Sequence, residues 1–111
     1  LTELNISGNA KTKLLKIKEE RLKLKISGVA KVVGNGKVDN LEVIISGLGG
    51  IDFKEVKTRN TKLKISGSGK ADLNVEESIE ATINGSGKAN VWGKPKHVTK
   101  NINGLGKINI V

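Results

Sequence analysis

Apolar and polar residues alternate along most of the chain. Leu22, Leu24 and Ile26, then Leu41, Val43 and Ile45, then Ile79, Ala81 and Ile83 take every second position, the period of a strand with one buried face. The residues between them (Lys23, Lys25, Glu42, Glu80, Thr82) are polar, with Ile44 the exception. A second alternation runs through Ile51 and Phe53, Ala71 and Leu73, Ala89 and Val91, and Ile108 and Ile110. A third, less regular strand or edge is predicted around Leu15 to Ile17, Val38, Val56 and Val75.

These segments belong to a repeat. Glycines fall at Gly8, Gly28, Gly47, Gly67, Gly85 and Gly104, at intervals of 20, 19, 20, 18 and 19, and each is preceded two positions earlier by isoleucine. Two residues after each comes alanine or glycine, and lysine follows in five of the six repeats. Three short extended segments per repeat cannot be helical hairpins. They predict an all-β fold, a single-stranded parallel β-helix (β-solenoid) of about 5–6 coils of 18–20 residues with three short strands per coil. One coil cannot bury its inward row alone, but copies stacked at roughly 4.8 Å pair their backbones and pile equivalent side chains inside. The six repeat glycines are structural turn residues, placed where a missing Cβ permits a positive φ and close approach of neighbouring coils. Residues 1–111 form one domain, with 1–21 the least regular first coil and 22–111 the regular coils. Between Lys11 and Arg21 the pattern is also compatible with a short helix carrying Leu14, Leu15, Ile17 and Leu22.

Composition narrows the core and the chemistry. Phe53 and Trp92 are the only aromatic residues, and there is no Cys, Met or Tyr, so the core is aliphatic. The lack of cysteine excludes disulfide scaffolds, zinc ribbons and thiol chemistry. No apolar window reaches the length of a membrane-spanning helix, and no cofactor is expected. The chain begins at Leu1, which points to a processed or excised piece.

The net charge of +9 acquires a location once the repeat is stacked. Ser7, Ser27, Ser46, Ser66, Asn84 and Asn103 form one outward column; Lys11, Lys31, Lys70, Lys88 and Lys107, interrupted by Gly50, form another; Asp52, Asp72, Asn90 and Asn109 form a third. Lys31, Lys70, Lys88 and Lys107, with Trp92 nearby, are the candidate binding residues, a basic stripe suited to an anionic polymer. A row of lysines that only keeps a β-rod soluble and unpaired is the competing reading. Two arginines and one tryptophan argue against nucleic acid. Trp92 either covers the corner at Pro95 or stacks on a sugar ring.

Candidate catalytic groups are few. His97 is the only histidine and is expected on a turn without a catalytic partner. Asp52 and Asp72 read as neighbours in a solvated ladder, not as a glycosidase pair. The run Gly49-Gly50-Ile51-Asp52-Phe53 does not recur at the nine-residue period of calcium-binding β-rolls, so no metal site is expected.

The runs Ile65-Ser66-Gly67-Ser68-Gly69-Lys70 and Ile83-Asn84-Gly85-Ser86-Gly87-Lys88, followed by Val91-Trp92-Gly93-Lys94-Pro95 and Ile102-Asn103-Gly104-Leu105-Gly106, resemble the GIN domain (putative autotransporter adhesin head domain) family of bacterial β-helix proteins. The resemblance implies a right-handed β-helix in a periplasmic, surface-anchored or secreted protein, and supplies no catalytic residues. It covers Leu22 to Val111 best. Members often carry aspartate after the second turn glycine, where this chain has Lys70, Lys88 and Lys107, so the sign of the surface is reversed. The expected function is a non-enzymatic, extracytoplasmic, adhesin-like module that binds or scaffolds through flat ladder faces, with an anionic glycan or another protein as partner. The alternative is a self-assembling rod resembling bactofilins, joined end to end through strands at Leu4 and Ile6 and at Ile108 and Ile110.

Overall fold

The computed structural model describes residues 2–110, nearly all of them extended. In chain order the strands are β1 (Thr2–Gly47), β2 (Gly50–Gly67), β3 (Lys70–Gly85), β4 (Lys88–Trp92), β5 (His97–Gly104) and β6 (Lys107–Ile110). Every pairing is parallel: β1 with β2, β2 with β3, β3 with both β4 and β5, and β4 with β6. Since β1 to β3 each continue in parallel register on both sides of their corners, the chain is a parallel β-solenoid of about four turns. Its extents are 31 × 31 × 20 Å, a squat block instead of a rod.

The register is the one the repeat demands. Gly47, Gly67, Gly85 and Gly104 stack in one column, and Ile45, Ile65, Ile83 and Ile102 in another. Two constraints fix the turn glycines. Gly67 has φ +113°, and a Cβ there would lie 2.8 Å from the carbonyl oxygen of Gly47, so both the backbone conformation and the coil beneath forbid a side chain. The second glycine of the motif has a different cause. A Cβ on Gly87 would meet the Cγ2 methyl of Ile65 at 2.6 Å. The motif isoleucine therefore fills the space over which the next coil's small residue must pass.

The core is a set of aliphatic columns around Phe53, which is fully buried. Among the described residues two threonines break it: Thr58 and Thr61 are 1% and 4% exposed, and their hydroxyls share a 2.8 Å hydrogen bond. Thr58 Oγ1 also donates to the carbonyl of Asn74 at 2.7 Å. Each lies in a column that is otherwise apolar, Thr58 between Val38 and Val75 and Thr61 between Leu41 and Ile79.

Around Val38, Val56 and Val75 the chain is extended, as expected, and Val56 pairs with Gly36 while Val38 and Val75 both pair with Thr58. Register shifts fall at Val33/Asn35, Phe53/Lys57 and Thr58/Asn60. Coils of unequal length must take up their difference somewhere, and they do so at this corner. The segment from Lys11 to Arg21 is strand, not helix. Its alternation is broken by a turn at Lys16, whose φ of +56° is rare for a side-chain-bearing residue and whose amide donates to Asn35 Oδ1 at 2.8 Å. Leu15, beside that turn, is left exposed.

Candidate functional site

Two of the outward columns, those of lysine and of Asp/Asn, share one face. Lys31, Gly50, Lys70, Lys88 and Lys107 are successive partners in register, and all four lysines are exposed. Lys11 lines the same hollow as Lys31. Two residues further along the strands, Asp52, Asp72, Asn90 and Asn109 form the adjoining column. Asn90 Nδ2 donates to Asp72 Oδ1 at 3.0 Å, and Asn109 Nδ2 to Asn90 Oδ1 at 3.1 Å. Asp72 thus serves the ladder as a half-buried acceptor.

Trp92 closes β4 on the same outward parity as Lys88 and Asn90, pairs in register with Asn74, and is half-buried. Lys54 Nζ sits 5.7 Å from the ring centroid, within cation–π range. That contact occupies one ring face. Before the lysine column in sequence stands a row of turn residues: Val29 and Leu48 are 52% and 61% exposed, and Leu105 is 89% exposed. Ser68 and Ser86 hold the equivalent positions between Leu48 and Leu105.

A second face carries two columns without a consensus residue. Asn40, Asn60, Ser78 and His97 are in register. Asn60 Nδ2 donates to Asn40 Oδ1 at 3.2 Å, and Ser78 Oγ to Asn60 Oδ1 at 2.6 Å. Beside them Glu42, Lys62, Glu80 and Thr99 stack, so neighbouring charges have opposite sign, which favours cross-strand pairing. A groove of about 730 Å³ runs between the two columns. His97 is the exposed first residue of β5, directly after the turn instead of on it. Both columns keep the 20-, 18- and 19-residue intervals of Gly47, Gly67, Gly85 and Gly104; carrying those intervals back from each glycine would find them.

The family model described as "Putative auto-transporter adhesin, head GIN domain" matches residues 2–95. The chain belongs to this family. The GIN-domain match takes in the first coil as well as the regular ones and ends at Pro95, before β5 begins. No curated protein and no solved structure is matched by the chain.

Proposed function

We propose that this GIN domain is a non-enzymatic, extracytoplasmic, adhesin-like module that holds an extended anionic polymer, an acidic glycan foremost, on its lysine face. The observation that carries this reading is the unbroken register of Lys70, Lys88 and Lys107, all exposed, on three successive coils. Like charges directly opposite one another across parallel strands oppose folding. The same spacing presents one cation per coil to a polymer lying along the solenoid axis. The family's description supports the surface location.

The finer architecture belongs to the same reading: five to six right-handed coils of three strands. It is supported by the Gly8 backbone, 3.0 Å from where a Cβ on Gly28 would sit, which stacks the first coil on the second, and by the general handedness of parallel crossovers. End-to-end assembly is the weaker alternative. In β5 the inward column that contains Val43, Leu63 and Ala81 continues with Lys100, which is exposed, and an inward charge blunts an edge against further pairing.

Binding of the full chain to polygalacturonate at low and moderate salt tests the proposal. Replacing Lys88 and Lys107 by glutamine should weaken binding about tenfold and flatten its salt dependence. Unchanged affinity and salt response would remove the lysine face from the function.

A further inference from the structure

Gly50 stands where every other coil has lysine, and the fold does not ask for it. Its φ lies outside the left-handed region, and a Cβ there would meet nothing nearer than the Lys70 carbonyl oxygen at 3.8 Å. In this it differs from Gly49, where a Cβ would strike Ile26 Cγ2 at 2.7 Å. What the missing side chain does is open the lysine column. A hollow of about 490 Å³ lies there, with Lys31 and Lys70 on either side of the gap, Leu48 at the turn edge and Asp52 and Asp72 along the opposite edge. From the strand spacing, the coils of Lys31 and Lys70 are about 9–10 Å apart. Lys11 also lines the hollow, so its lining carries three lysines and two aspartates, one positive charge in excess.

We propose that the gap at Gly50 is a subsite for a single acidic pyranose residue of the bound polymer. Its carboxylate is taken by Lys31 or Lys70, its hydroxyls donate to Asp52 and Asp72, and its C–H face lies on Leu48. The single excess charge matches a monoanionic sugar, and the carboxylates distinguish a hydroxyl-rich ligand from a bare polyanion. This rests on the reading of the lysine face as a binding face. It adds that affinity is concentrated at one coil instead of being shared equally along the column.

The test is calorimetric titration of the full chain with galacturonate oligomers, with fully methyl-esterified oligomers and polyphosphate as comparisons. Two variants install the residue the repeat itself uses elsewhere: Gly50→Lys fills the gap, and Leu48→Ser removes the apolar edge. Wild type should bind the galacturonate oligomer about tenfold more tightly than the ester, and Gly50→Lys should lose about tenfold despite its added positive charge. Leu48→Ser should weaken binding severalfold, which keeps the test open if the glycine variant does not fold. Equal or tighter binding by Gly50→Lys, or by Leu48→Ser where Gly50→Lys does not fold, overturns the subsite. If Lys88→Gln/Lys107→Gln is weakened in the same experiment, the lysine-face reading survives that loss. Polyphosphate binding as well as the oligomer overturns sugar recognition, and no binding by wild type to any of the three overturns both readings.

Discussion

A Cβ placed on Gly69 would lie 2.7 Å from the Cγ2 methyl of Ile45 in the neighbouring coil. Real Cβ atoms essentially never come that close, so the isoleucine of one motif and the second glycine of the next are one structural unit. The same contact recurs between Ile26 and Gly49 and between Ile65 and Gly87. Gly69→Ala is therefore an overpacking substitution and should destabilise by about 1–3 kcal/mol. Gly50→Ala, which meets only an ordinary contact, should change stability by less than about 0.5 kcal/mol. Urea unfolding of the two variants side by side checks this, and equal effects would contradict it.

The turn glycines are not equivalent. Gly8 has φ +77° and nothing within 4 Å of a built Cβ, whereas Gly67 combines φ +113° with the Gly47 carbonyl 2.8 Å away. Alanine at Gly8 incurs only the left-handed backbone penalty, about 1–2 kcal/mol. At Gly67 the steric clash adds to it, and the loss should exceed about 3 kcal/mol. Asparagine, which enters the left-handed region more readily, should recover part of the loss at Gly8 and none at Gly67. Thermal melts of the four variants distinguish these cases.

Thr58 and Thr61 satisfy each other in an otherwise apolar core. Thr58→Val strands the Thr61 hydroxyl and should cost about 1–3 kcal/mol, whereas replacing both by valine removes the stranded group and should cost less than the single change. A double-mutant cycle reads the coupling directly. Strictly additive losses would show that water, and not Thr58, satisfies Thr61.

The sequence made the glycine corner legible because the steric constraint there recurs on coil after coil from Gly28 onward. Isoleucine, positive-φ glycine and a second small residue each have a neighbour one coil away that admits little else, so the residue types recur and the period can be counted. The lysine column was equally readable, since side chains at a fixed distance from that corner inherit its register. Elsewhere the physics is less selective. The Asn40–Asn60–Ser78–His97 column needs only a polar side chain able to reach its neighbour, so its identity drifts while its spacing persists. The burial of Thr58 and Thr61 is not legible in the sequence, because one threonine in a strand does not reveal that another lies opposite its hydroxyl. Around Val56 the register shifts between coils of unequal length, which is why the alternation there is less regular.

The corner at Val56 has a further consequence. Between Phe53 and Lys57 the chain of β2 passes three residues while β3 advances from Leu73 to Asn74 without any, yet Ile65 and Ile83 still meet in register afterwards. A change in length there is absorbed locally and is not transmitted around the perimeter. The solenoid thus separates a stretch of backbone that must be counted residue by residue from one that need not be. Natural variation in loop length, or a grafted peptide, would be accommodated at the second without disturbing the ladders on the first.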